Sequence, residues 1–472
     1  MASVKKNKRG MILMRNIRLP RLAKDVYLLF YFILPLFFIP FFFVCNSVEI
    51  LLFLSIVQCF LFAVYLFKDS ETISFSFLFW IMSHFFSLSI LFIPKENEFG
   101  NLLPFTAHDL NTRYIYLTVL YTYFCHLLFS IGCVLINFFY KQKIDNRKFI
   151  NFNMIQISKI LFFLGIVPKT FLILKYISLF LTSSYYSVGK YAPNGIFYFL
   201  STLADVGLLL LICCDIKPSK KRICIILFII FQFIYAIVGK RGGAIANIIS
   251  LVVVLCANRK IDFSKLIKIC LVACCILFFV VFISQYRGLS SDSRENFLSE
   301  FFSGSNIMSY MIYFAFSEFG SAFLTAYYSI FYLANFHSWG KNFLISILTI
   351  MPTTSSITYL VNKTSVYKNL FPLKTNIGGS YIGEAFYSFS WGGVFLFFFY
   401  GLLIAFISKI IISEMRSGKK YTMFFFVPMI SYLSWWIRDY FSQMVRPFVW
   451  QIMLILLIAC FIKYTVKRGY RI

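Results

Sequence analysis

The strongest constraint in this chain is the recurrence of apolar runs of about 20 residues, the length at which an α-helix spans the roughly 30 Å hydrocarbon core of a bilayer. Laid along the sequence, that ruler places spans near 26–45, 48–67, 72–93, 114–139, 156–181, 195–214, 222–238, 243–257, 266–284, 391–412, 421–437 and 447–464. Backbone polar groups in lipid must bond within their own segment, and the runs lack the polar alternation of a barrel strand, so the spans are helices. The expected fold is all-α: a polytopic integral membrane helix bundle of about 12 transmembrane helices, forming one membrane domain over 1–472. Composition agrees, since 60% hydrophobic against 13% charged residues leaves too little polar surface for a water-soluble domain.

Charge then orients the bundle. Lys and Arg number 45 against 18 Asp and Glu, a net charge of +27. A nucleic-acid partner would need a solvated basic domain, and no long soluble stretch exists to build one. Most of the surplus instead falls in alternate gaps between spans: the basic N-terminus 1–25, then Arg147 and Lys148, Lys220 to Arg222, Arg259 to Lys265, Arg416 to Lys420, and the tail from Lys467. By the positive-inside rule these gaps are cytoplasmic, and an even number of crossings puts both termini on that side. The run after residue 25 is full length and lacks a small-residue cleavage site, so it reads as a first anchor. On the outer side lies one large loop, 285–390. Its apolar run 310–336 carries Glu318 and Gly320 mid-segment and reads as an interfacial or re-entrant helix, with a pair of extra crossings, about 14 in all, as the alternative. Two similar halves, the mark of many transporter folds, are absent.

A minority of the basic residues fall on the outer side, in short gaps where topology gives no reason for them: Lys240 and Arg241 in Gly239-Lys-Arg-Gly-Gly243, Arg287 in Gln285-Tyr-Arg-Gly288, Arg294, Arg438 and Arg446. Charge at the edge of hydrocarbon is costly, so such a set points to an anionic partner, although membrane-lipid headgroups would also satisfy any single one. Arg suits phosphate because its planar fork donates parallel hydrogen bonds, and neighbouring glycines let backbone N–H groups approach the same anion. Asp205 and Lys169 sit at similar depth in the sixth and fifth spans, which favours an ion pair between helices over a proton or ion relay. Glu384 precedes the tenth span on the outer side as a general base or an Arg partner, and His337 lies in the large loop. His84 and His126 read as core histidines. No CxxC or HExxH occurs and most cysteines lie in apolar runs, so no metal or cofactor is expected.

This layout resembles the bacterial O-antigen and capsule repeat-unit polymerases of the Wzy family. Local support comes from Val238-Gly-Lys-Arg-Gly-Gly243 at the head of a helix, Tyr286-Arg-Gly288 at the start of the large loop, and Asn376-Ile-Gly-Gly-Ser-Tyr-Ile-Gly-Glu384 running into Trp391-Gly-Gly393. The Arg-x10-Gly pattern of some members is not matched, because Arg294 and Gly304 have nine residues between them. The resemblance implies a glycosyltransferase of the bacterial cytoplasmic membrane, which moves a growing glycan from undecaprenyl pyrophosphate onto a new lipid-linked oligosaccharide repeat unit. It also admits a chain-length regulator as a partner. In that reaction Arg241, Arg287, Arg438 and Arg446, with Lys240 and Arg294, hold pyrophosphate; Glu384 or His337 accepts the proton of the attacking hydroxyl. Tyr185, Tyr186, Tyr191, Trp339, Tyr381 and Trp391 are candidates for stacking on sugars. A lipid-linked-oligosaccharide flippase and an O-antigen ligase are the rival readings.

Overall fold

A computed structural model describes residues 47–92, 110–140, 154–182, 191, 195–262, 264–268, 271, 316, 320, 322–332, 338–351, 359–360, 379–417 and 422–469. The described residues are helical apart from turns. The first and ninth expected spans lie essentially outside them. Every other expected span coincides with a helix: α1 Val48–Ser70, α2 Phe75–Leu88, α3 Thr112–Phe139, α4 Met154–Thr182, α5 Gly195–Cys213, α6 Pro218–Ile237, α7 Arg241–Cys256, then, after α8 Lys341–Leu348 and α9 Tyr381–Phe389, α10 Val394–Ser417, α11 Met423–Trp436 and α12 Phe441–Gly469. Local chemistry starts several of them. Ser74 accepts from the Phe77 N–H ahead of α2, Asn111 from the Arg113 N–H ahead of α3, and Pro218 opens α6, where its missing N–H costs no helical bond.

The tenth span begins earlier than its hydropathy indicates. Helix α9 starts at Tyr381, and only a break at Ser390 (φ 52°) and a 3-10 turn, Ser390–Gly393, separate it from α10. Glu384, expected in the loop before that span, is therefore inside a buried helix. The reason lies in its neighbours: Tyr381, Ile382, Ala385 and Phe386 form an apolar helix that a hydropathy window discounts because a carboxylate and Ser388 interrupt it.

Lipid gives helices no hydrophobic reason to associate, so close packing of small residues must do it. Two pairs show this. A Cβ on Gly132 of α3 would overlap the α10 backbone at Phe398, and one on Gly401 of α10 would overlap the α3 backbone at Phe129. Gly165 of α4 meets the backbone of Ala204 in α5 in the same way, and Gly207 of α5 that of Phe162 in α4. The segment 322–332, within the run 310–336, is helical and mostly buried, and the Gly383 Cα faces its backbone at Thr325 and Ala326.

Polar contacts tie the ends together. At one end Arg416 donates to the Ser70 carbonyl at 2.9 Å, Lys409 pairs with Asp69, Thr72 donates to the Cys256 carbonyl at 2.6 Å, and the Ile261 N–H reaches the Glu71 carbonyl at 3.1 Å. The basic turns around Lys260 and Arg416, expected on one face, thus both reach the turn that follows α1. The Lys240–Arg241 turn stands at the opposite end of α7.

Candidate functional site

That turn is built for a particular conformation. Helix α6 ends in paired bonds from the Lys240 N–H to the Tyr235 carbonyl (2.9 Å) and from the Gly239 N–H to the Ala236 carbonyl (3.2 Å), a Schellman motif. Its penultimate position is left-handed, and Gly239 supplies it at φ 99°. Lys240 then stands at the N-cap of α7 without a side-chain capping bond, and Arg241-Gly242-Gly243 forms the first helical turn. The opening N–H groups of α7 and two cations are thereby gathered at one place. Burial pulls the Lys240 ammonium below its ordinary range, and its Nζ lies 5.4 Å from the centre of the Tyr176 ring.

Below the turn opens a cavity of about 280 Å³, walled by α4, α5, α6, α7, α11 and α12. Lys240 and Arg241 line its rim together with Trp435, which packs 3.6 Å from where a Gly242 side chain would begin. Tyr198, Tyr235 and Tyr432 supply further aromatic wall.

Its floor is a polar network in the middle of the bundle. Lys169 Nζ donates to Asp205 Oδ2 at 2.6 Å, Gln232 Nε2 to Asp205 Oδ1 at 2.8 Å, and Asn247 Nδ2 to Gln232 Oε1 at 3.0 Å and Asp205 Oδ2 at 3.5 Å. The Lys169 ammonium also sits 3.8 Å from the centre of the Tyr235 ring. A carboxylate at this depth is tolerable only with such compensation, and the expected Lys169–Asp205 ion pair is what holds it.

Glu384 occupies a different place. It is 2% exposed and does not line the cavity. Its Oε2 accepts from the Trp436 indole at 3.1 Å and from the Phe441 N–H at 2.9 Å, and its Oε1 from Asn342 at 3.4 Å. Phe441 is the first residue of α12, so the carboxylate of α9 caps another helix and ties α8, α9, α11 and α12 together. Nearby, Tyr381 bonds Ser83, which also meets His126 Nε2 at 2.7 Å; His126 stacks on His84 with ring centres 3.6 Å apart.

The family described as O-antigen polysaccharide polymerase Wzy matches residues 26–469. The chain belongs to this family. Comparison with curated proteins and with solved structures gave no match. Membership in the Wzy family supports an O-antigen polymerase role, a glycosyltransferase-type polymerisation by a multi-pass membrane protein. Against it, the expected site residues divide. Lys240 and Arg241 line the cavity, together with Lys169 and Asp205. Arg438 follows one turn after Trp435 and Arg446 lies in the second turn of α12, both partly buried and neither lining the cavity. Arg287, Arg294 and His337 lie outside the described residues, as do Tyr185 and Tyr186. Of the expected aromatics, Tyr381 is sealed in the core and Trp339 is 73% exposed. The Wzy cavity is walled by others: Tyr198, Tyr235, Tyr432 and Trp435. Gln232, Asn247 and Gln451 were not anticipated; the one signal they left is an amide in the middle of an apolar span.

Proposed function

We propose that the protein polymerises a surface polysaccharide, transferring the growing glycan from undecaprenyl pyrophosphate to a new lipid-linked repeat unit at the outer face of the cytoplasmic membrane, with both termini cytoplasmic. The observation that carries this reading is the Lys240–Arg241 turn opening onto an aromatic-walled cavity with a polar floor. The leaving group is an anion, and its developing charge needs fixed donors already in place; the two cations and the opening N–H groups of α7 supply them. Arg438 and Arg446, with Arg287 and Arg294, are the further cations for the second lipid pyrophosphate. Trp435 and the tyrosines suit sugar faces, and the amides suit hydroxyls. Glu384, committed to three donors away from the cavity, holds this end of the bundle in shape.

Deleting the gene in a host that makes the polymer tests the reading. Expected is the loss of long chains while single repeat units still reach the surface. Loss of all surface glycan would point to a flippase, and finished polymer stranded on the lipid carrier would point to a ligase.

A further inference from the structure

Asp205 is the one carboxylate among the described residues that line the cavity. It lies well below the basic rim. Asn247 follows Lys240 by seven residues along α7, a drop of roughly 10 Å at the 1.5 Å rise of an α-helix. The Gln232 and Asn247 amides and the Asp205 carboxylate therefore stand at the far side of a sugar-sized space from the place that suits an anion. A second observation marks the same space as a polar binding site. Gln451, 0% exposed and part of the cavity wall, donates from its Nε2 to Thr202 at 3.4 Å, while its Oε1 has no hydrogen-bond partner among the described residues. A buried amide oxygen costs about 1–3 kcal/mol if left unmatched, and a hydroxyl-rich ligand would match it.

We infer that the floor of the cavity receives the attacking hydroxyl of the acceptor sugar, and that Asp205 takes its proton, with Lys169 balancing the carboxylate's charge and Gln232 and Asn247 fixing its orientation. The inference rests on the polymerase reading above. The hydroxyl oxygen bonds to the anomeric carbon of the donor glycan. The bond from that carbon to the pyrophosphate oxygen breaks, and its electron pair leaves on the pyrophosphate, held at the Lys240–Arg241 rim. The proton passes from the hydroxyl to an Asp205 oxygen and afterwards to water through the cavity mouth. No oxidant or further co-reactant is needed. The ion pair does not disqualify the carboxylate: general bases act from any position within hydrogen-bond reach, and one set by three donors is pre-oriented.

The test compares wild type, D205N and the double variant D205N/K169Q, reconstituted in liposomes with purified lipid-linked repeat units, reading elongation rate, donor KM and membrane abundance. D205N alone leaves a buried ammonium without its partner, so the charge-balanced double variant is decisive. Expected is a fall in kcat of about 100-fold or more in both variants, the scale of a lost general base, with donor KM and abundance held near wild type. Recovery of the double variant to within about threefold of wild type would make the pair structural and overturn the inference. A loss of abundance or donor binding that matches the loss of elongation would overturn it too, by making the network a scaffold for the rim. Failure of the wild type itself to elongate would instead sink the polymerase reading beneath it.

Discussion

Asp205 and Glu384 are both buried carboxylates in apolar helices, 5% and 2% exposed, yet their surroundings differ in kind. Asp205 is paired with a full charge, Lys169, and its network faces a cavity that leads to two more cations. Glu384 meets three neutral donors from three helices and does not line that cavity. Either arrangement compensates the cost of burying a carboxylate. The first leaves polar atoms addressed to something that enters; the second spends every donor on joining helices. Burial and residue type alone would rank the two alike, and only the partners separate a site from a joint.

The largest effect that would sharpen this division is expected at the rim. Arg241→Ala removes a fixed donor from the place where leaving-group charge develops. Elongation should fall about 100- to 1000-fold, the usual consequence of losing one such donor, with thermal stability unchanged. Measurement of chain growth on purified lipid-linked units checks it; normal chain lengths would remove the cavity from the chemistry.

Glu384 should answer in the opposite currency. Glu384→Ala leaves the Trp436 indole, the Phe441 N–H and the Asn342 amide without their acceptor, and the fold should lose about 3 kcal/mol or more. Glu384→Gln keeps an acceptor oxygen and should cost about 1 kcal/mol, with turnover per folded molecule within about threefold of wild type. Thermal unfolding in detergent, paired with elongation, reads both. A Gln variant that folds normally but cannot elongate would return Glu384 to the chemistry and erase the comparison.

The glycines divide along the same line. Gly401→Ala must push the α10 and α3 backbones apart, which should cost about 2 kcal/mol, whereas a methyl on Gly242 meets Trp435 at ordinary contact distance and should leave stability unchanged. Equal melting points for the two variants would break the distinction between a packing glycine and a rim glycine.

How much of this was legible in the sequence follows from what each feature depends on. The spans that fall on described residues were legible because a bilayer sets a minimum apolar length for a crossing helix. The Lys240–Arg241 turn was legible because cations in a short gap contradict the orientation rule, and the Lys169–Asp205 pair because two opposite charges at one depth need each other. The rest of the floor was not. Asp205, Gln232, Asn247 and Gln451 come from four helices, and no spacing in the chain relates them. In lipid both faces of a helix are apolar, so periodicity does not say which way Gln232 or Asn247 turns. The sequence places Glu384 only ahead of the tenth span, because a cap supplied by one helix to another is a tertiary fact. Its acceptor role was half visible in the choice between base and Arg partner, and neither alternative named Trp436 or the start of α12.

The smallest effect belongs to Asp439, in the turn that joins α11 to α12 beside Glu384. Burial pushes its carboxyl up to about 6, against the opposing influence of the Tyr440 N–H, the Arg438 charge and the Trp435 indole. The folded protein therefore holds a proton there between about pH 4 and 6 that the unfolded chain has already released. The sign follows: the stability this group contributes is fully present below about pH 4, declines as pH rises through 6, and is flat above. Asp439→Asn cannot titrate and lacks that slope. The melting temperature of Asp439→Asn relative to wild type should accordingly rise as pH goes from 5 to 7, by a few degrees at most, and then level off. A difference that stays constant across that range would show that the turn is wetter than its burial implies, and that the sealed region around Glu384 ends before residue 439.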